Sequence, residues 1–344
     1  MQQITIVGLG LIGASIGLGL RRWAAESGSR AGSFRLVGFD LELLHQNEAK
    51  RIKAVDRTTW TLAEAVREAD LIVVATPPGS VPEVFETIAE HAPDGAVVTD
   101  TCSTKAAVMR WANEYLPPRL HFVGGHPMAG KTQSIEGADA DLFRGAVWVV
   151  TPSLTASQQA VETVLGLVRA LGAEPRFLDP EEHDSYVAAI SHVPFLLSVA
   201  LMRVTSGDVA WREMRLLAAG GFRDTTRLAL GSPRMYRDIC ATNASAIVRW
   251  LDTAIDELRC LRELIAEGSE ESLAELQQRF ERARDARAEW ATQERRTGER
   301  LQTTSDELPE VSVGQHLQQL FLGGLVGRRR PEKGRSRPKS ENQS

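Results

Sequence analysis

A chain of 344 residues, 43% hydrophobic and 25% charged, is long enough for two domains and too apolar to be a disordered or low-complexity protein. Its formal net charge of −5 is uneven: residues 326–344 hold seven Lys/Arg against two Glu, so the basic character is confined to the end and a nucleic-acid partner is not expected. Three cysteines, Cys102, Cys240 and Cys260, show no C-x-x-C and no paired-histidine spacing, which supports neither a disulfide framework nor a metal site.

The N-terminus, MQQITIVGLG, enters a strand at once, without the basic region and cleavage site of a signal peptide. No run of eighteen apolar residues follows, so the expectation is a cytoplasmic protein with no membrane partner. Short β-rich runs then alternate with helical patterns: ITIVGLG, LIGASIGLGLRRWAAE, RLVGFD, TLAEAVREAD, LIVVATP, VPEVFETIAEHA, AVVTD, TKAAVMRWANEYL and LHFVGG. Such alternation predicts βαβ units and a parallel sheet, because each crossover helix covers a face of the sheet. Two more strands, AVWVVTP and EPRFLD, flank the helix SQQAVETVLGLVRALG. After Asp179 strand signals stop, and EEHDSYVAAISHVPFLLSVALMRVTS, PRMYRDICATNASAIVRWLDTAIDELRCLRELIAEG and ESLAELQQRFERARDARAEWATQ read as long helices. The expected organisation is an α/β domain over 1–179, an all-helical domain over 180–295 and a solvated basic tail over 303–344. Long helices with apolar stripes and no third layer predict a homodimer through the helical part.

Gly8, Gly10 and Gly13 follow the first strand and open a helix, the context that a dinucleotide fingerprint requires. Gly8 allows the tight turn, Gly10 lets the backbone approach a pyrophosphate, and Gly13 lets helix and strand pack, with Leu11 and Ile12 between them in the same cofactor-binding set. Asp40, at the end of RLVGFD, suits the hydroxyls of an adenosine ribose and would repel a 2′-phosphate, which predicts NAD over NADP. The longer than usual separation between Gly13 and Asp40 is attributed to an enlarged loop, ESGSRAGS, and Arg35 is placed before the strand.

Ligands of such sheets gather beyond the carboxyl ends of the strands. There Thr76 and Pro77, followed by Pro78, make a wall beside the cofactor. Ser103 or Thr104 is a candidate cap for the next helix, and Ser103 is equally a candidate catalytic hydroxyl. His126 sits in GGHPMAG, where bare glycines and Pro127 are expected to leave the ring exposed to the cleft. A nearly neutral imidazole is a good general base at physiological pH.

The motifs GLGLIGAS (8–15), D-x-x-S-x-K (100–105), GGHPMAG (124–130), ISHVPF (190–195) and GGFRDTTR (220–227) together resemble the prephenate/arogenate dehydrogenase family of tyrosine biosynthesis. The resemblance implies a Rossmann-like domain joined to a dimerising helical domain, and a small-molecule substrate, prephenate or arogenate, oxidatively decarboxylated with NAD. It further implies that His126 is the base for the 4-hydroxyl, that Ser103 holds the same hydroxyl, that Arg227 rather than Arg223 binds a substrate carboxylate, and that Ser191 and His192 line the substrate side chain. Pro194 is expected to kink or end the helix carrying them.

Phe195 and Thr132 depart from relatives that carry a histidine and an acid at these places; Phe195, with the similarity of ISHVPF and GGFRDTTR to arogenate-using members, motivates arogenate as the better substrate. A β-hydroxyacid or 6-phosphogluconate type of dehydrogenase is the enzymatic alternative; those use a lysine in the helical part, and residues 180–290 contain none. A non-catalytic NAD sensor is the alternative of another class, and it gives His126, Ser103 and Arg227 no role.

Overall fold

The structure, a computed structural model, describes residues 2–28, 34–131 and 133–307, with side chains to residue 293. Residues 308–344 of the expected basic tail and Thr132 lie outside the described residues, as does most of the loop proposed to separate Gly13 from Asp40.

The first part runs β1 (Gln2–Val7), α1 (Leu11–Ser27), β2 (Phe34–Phe39), α2 (Leu43–Arg51), β3 (Arg57–Thr58), α3 (Leu62–Val66), β4 (Leu71–Val74), α4 (Val81–His91), β5 (Val97–Asp100), α5 (Ala106–Tyr115), β6 (His121–Pro127), β7 (Val147–Pro152), α6 (Gln158–Ala170) and β8 (Glu174–Phe177). Eight strands form one sheet in the order β3-β2-β1-β4-β5-β6-β7-β8. The sequence order reverses direction between β1 and β4, so the crevice for a ligand opens beyond the ends of those strands. Adjacent residues of β4 feed opposite layers: Leu71 and Val73 face a core with Ile16, Leu20 and Trp148, whereas Ile72 and Val74 face one with Phe85, Ile88 and Phe122. Every residue of β4 is buried, as a strand covered on both faces must be.

The wholly parallel sheet expected from the alternation needs one correction. β7 pairs antiparallel with β6, His126 standing opposite Val149, because the chain returns between them without a crossover helix. Arg35 also lies inside β2, where it pairs with Glu68 at 2.8 Å and donates to Gln3 Oε1 at the strand end remote from Asp40.

The second part is helical: α7 (Pro180–Val187), a π-helical turn (Ala188–His192), α8 (Val193–Ser206), α9 (Trp211–Leu217), α10 (Gly220–Thr226), α11 (Pro233–Thr242), α12 (Ala244–Glu267) and α13 (Glu270–Glu307). The helix carrying Pro194 does not end there. The wide turn precedes the proline, which occupies the first turn of α8 where its missing N–H costs nothing. The stretch read as one helix from Pro233 onward is two, separated at Asn243, and α13 continues past Thr303 to Glu307.

Among the described residues, Ala188, Ile239 and Ile247 form the buried apolar cluster of this part, while Ile190, Val204, Leu217, Val248 and Ile265 stay exposed. Within Pro180–Ser206 an 18-residue window has mean hydropathy 1.8 and meets the length and composition of a membrane span, with a third of it buried. Four of its polar residues, His183, Asp184, His192 and Ser198, are buried, so this run is built into the protein on one side.

Between the sheet and the helices lies a fully buried ion pair, Lys105 with Asp100. Asp100 also accepts the N–H groups of Cys102 (2.9 Å) and Gly125 (3.0 Å), so its charge is paired and hydrogen-bonded. Lys105→Met, which leaves that carboxylate buried without its counter-charge, is expected to cost about 3–5 kcal/mol of stability in urea denaturation. A loss below about 1 kcal/mol contradicts this reading of the pair.

Candidate active site

The glycine turn follows from its neighbours. Gly8 has φ +94°, a conformation that L side chains rarely adopt, and a Cβ on it would stand 2.4 Å from the Ala75 carbonyl oxygen. A Cβ on Gly13 would fall 1.9 Å from the Gly8 oxygen, whereas one on Gly10 would meet nothing within 4 Å. The turn is thus sealed against β4 on one side and open at Gly10, beside the start of α1, which has no side-chain cap. An open helix N-terminus with a bare backbone beside it fits a dinucleotide pyrophosphate. Asp40 Oδ2 accepts the Leu9 N–H at 2.6 Å and Oδ1 that of Glu42 at 2.8 Å, so the carboxylate is fixed to the same turn. At the end of β4, Thr76 Oγ1 is buried with no partner, and Pro77 is exposed beside it.

His126 closes β6. The two glycines before it are required by space: a Cβ on Gly125 would lie 2.6 Å from the Asp100 oxygen and 2.8 Å from Trp148 Nε1, and one on Gly124 would press on Met109 and Thr151. The imidazole is not the open side chain that this frame suggested; it is 9% exposed, because α7 lies over it. Its Nδ1 is 2.8 Å from His183 Nε2, and His183 Nδ1 is 2.8 Å from Asp184 Oδ1. An ionised carboxylate only accepts, so His183 Nδ1 carries a proton, and a ring holding that proton alone presents Nε2 as an acceptor. The His126 proton then sits on Nδ1, and Nε2 keeps its lone pair. Burial first, then His183, Lys105 and His192, hold the His126 pKa well below the usual imidazole value, so the ring is neutral.

The Asp184 carboxylate also caps α5 from across the domain boundary. Lys105 N–H reaches Oδ1 at 2.6 Å and Ala106 N–H reaches Oδ2 at 3.0 Å. Neither Ser103 nor Thr104 caps this helix, correcting the expected cap: the α5 N-terminus has no side-chain cap of its own, and Thr104 Oγ1 bonds Thr242 Oγ1 at 3.0 Å instead. Ser103 is partly buried beside this cap, and its hydroxyl makes no hydrogen bond among the described residues.

His192 lies in the π-helical turn, joined to the same network through Asn243, whose Nδ2 donates to the Asp184 carbonyl oxygen (2.7 Å) and approaches His192 Nδ1 (3.4 Å). Desolvation brings the His192 pKa down to about 4, with Asp184 opposing and His183 adding to the shift. Its Nε2 is buried with no partner, so a neutral His192 that accepts at Nδ1 presents an unmet N–H at Nε2. Ser191 is partly buried beside it, and Phe195 stacks flat on Tyr236, ring centroids 3.4 Å apart. Arg227 and Arg223 are exposed in the turn after α10 and in α10; among the described residues neither forms an ion pair or a hydrogen bond to His126.

Sequence reasoning missed His183, Asp184 and Asn243. The available signal was a His–Asp pair at the start of an otherwise apolar helix, a costly place for polar groups without partners.

Residues 24–176 match the family Prephenate dehydrogenase, nucleotide-binding domain, and residues 179–279 match Prephenate dehydrogenase, dimerization domain. The chain is 33% identical over 275 residues to a prephenate dehydrogenase of Bacillus subtilis, covering 79% of this chain and 72% of that one. Among solved structures it is similar to prephenate dehydrogenase from A. aeolicus in complex with hydroxyphenyl propionate and NAD+ (TM-score 0.76, 26% identity, 84% of this chain and 98% of that chain). It is also similar to Synechocystis arogenate dehydrogenase (TM-score 0.68, 29% identity, 84% and 100%). On the match of both parts and the identity over most of its length, this chain belongs to the prephenate dehydrogenase family.

Proposed function

We propose that the chain oxidatively decarboxylates a cyclohexadienol, arogenate or prephenate, with NAD, in a cleft between the α/β part (1–179) and the helical part (180–295). The observation that carries this reading is the buried, neutral His126 whose Nδ1 is committed to His183, because such a ring can only act through Nε2. The A. aeolicus relative, solved with NAD+ and a hydroxyphenyl compound, supports the same pairing of cofactor and aromatic ligand.

Bound NAD would accept the hydride from the ring carbon that bears the hydroxyl. His126 Nε2 takes the hydroxyl proton as that carbon becomes a carbonyl. Loss of CO2 then leaves its bonding electrons in the ring, which becomes aromatic, and the imidazolium returns the proton to the phenol oxygen. Atoms and charge balance with no net proton released, so His126 serves as base and then acid. Ser103 would orient the hydroxyl, the His192 Nε2–H and Ser191 would meet the side chain, and Arg227 would hold a carboxylate through its guanidinium fork. Gly8, Gly10, Leu11, Ile12 and Gly13 would cradle the pyrophosphate, with Thr76 and Pro77 beside the nicotinamide. Asp40 supports NAD over NADP through its negative charge near the ribose. The exposed apolar face of the helical part, together with the match to a dimerization domain, supports a homodimer. The similarity to biosynthetic dehydrogenases supports a cytoplasmic location.

Phe195, stacked on Tyr236 where some relatives carry a histidine, and the similarity of ISHVPF and GGFRDTTR to arogenate-using members support arogenate as the better substrate. Purified protein assayed with arogenate and prephenate, each with NAD and with NADP, is expected to make NADH fastest with arogenate and NAD. A higher kcat/KM with prephenate removes the preference, and no turnover in any combination removes the reaction. His126→Asn is expected to lose about 10²–10⁴-fold in kcat with unchanged NADH affinity; unchanged turnover takes His126 out of the mechanism.

A further inference from the structure

His45, in the first turn of α2, is unused by the account above. Its Nδ1 lies 3.3 Å from Asp40 Oδ2, and its Nε2 lies 3.3 Å from Ser134 Oγ. It therefore bridges the carboxylate at the end of β2 to the segment that follows the His126 strand and packs over α1, where Asp139 N–H bonds Ser15 Oγ. Resting on the reading of Asp40 as the ribose acceptor, we propose that His45 is a cofactor-positioning and selectivity residue, which locks the Asp40 carboxylate for the ribose diol and closes the adenosine end of the cleft through Ser134.

The hydrogen bonds dictate the role. Asp40 Oδ2 takes the Leu9 and His45 donors, and Oδ1 takes only the Glu42 N–H, so Oδ1 is the oxygen with acceptor capacity left for a ribose hydroxyl. Asp40 only accepts, so the His45 proton is on Nδ1, and the Ser134 hydroxyl donates to Nε2. Both ring nitrogens are then occupied by protein groups, and the ring offers no free N–H to a 2′-phosphate. A carboxylate fixed in this way and a ring without a spare donor together favour the unphosphorylated ribose. The main chain contributes as well: Gln46 Nε2 donates to the Asp40 carbonyl oxygen at 2.7 Å, which holds α2 against the strand end independently of His45. Loss of the imidazole should therefore remove one of the three bonds that orient the carboxylate, leaving the Leu9 and Glu42 N–H groups in place, without releasing the helix.

The test is direct binding, read by fluorescence titration with NADH, NADPH and reduced nicotinamide mononucleotide, which lacks the adenosine half. His45→Ala is expected to weaken NADH about tenfold, the size of one hydrogen bond to a charged group, and to leave the mononucleotide unchanged. NADPH, which cannot use the diol contact, should change little, so that the preference for NADH narrows by the same factor. Ser134→Ala should weaken NADH in the same direction, and the double variant should be no worse than His45→Ala alone, because the two side chains act as one bridge. Unchanged NADH affinity in His45→Ala overturns the proposal, as does an equal loss for the mononucleotide, which indicates general disruption. Failure of the unaltered protein to bind NADH overturns the dinucleotide reading itself, a distinct result.

Discussion

The Asp184 carboxylate is the constraint on which the rest of the site depends. It belongs to the helical part, yet its two oxygens cap α5 of the α/β part and orient His183. A carboxylate so deeply buried is tolerable only when its lone pairs are met, and here two backbone N–H groups and an imidazole N–H meet them. The same three bonds fix which nitrogen of His183 holds its proton, and through His183 which nitrogen of His126 is free. Packing of one part on the other and the state of the base are therefore a single arrangement. Nearby, Gly79 N–H to Asp238 Oδ2 (3.3 Å) and Thr104 to Thr242 hold α11 against the ends of β4 and β5.

Around that anchor the chain trades side chains for proximity. Glycines at 124 and 125 let β6 pass between Asp100 and Trp148, which sets the His126 Cα close enough to α7 for its ring to reach His183. The Lys105–Asp100 pair works beneath it: Asp100 holds the Gly125 amide, and the Lys105 charge disfavours protonation of His126. The base is kept neutral above all by its burial, and further by His183, the Lys105 cation and His192. On the cofactor side, Asp40 does comparable structural duty, tying the glycine turn to β2 while keeping an oxygen for a ligand.

Much of this was legible where the physics is local. The glycine turn, the alternation of strands and helices, and the change to helices after Asp179 are properties of neighbouring residues, and the α/β part followed by a helical part is the fold observed. His126 could be singled out because its glycines and proline are adjacent to it. The antiparallel β7 was readable in principle, since no crossover helix stands between LHFVGG and AVWVVTP, but strand periodicity carries no direction. The His–Asp pair could have been noticed, but the capping role of Asp184 was not readable: it caps a helix about eighty positions away, and sequence spacing offers no sign of a cap supplied by another element. For the same reason Ser103 and Thr104, well placed by sequence, seemed the natural caps. The break at Asn243 was hidden because an asparagine inside a helical pattern has a small local cost, and its use is the distant bond to Asp184.

The central claim is that His126 is a neutral base with its proton on Nδ1 and its lone pair on Nε2, imposed by His183 and Asp184. The nitrogen NMR shifts of its imidazole, measured on the intact protein through a pH titration, test this most directly. The account predicts a protonated Nδ1 and a bare Nε2, unchanged as the pH falls through about 6.5, where an ordinary histidine is half protonated. An imidazolium at that pH, or a neutral ring with the proton on Nε2, would contradict it.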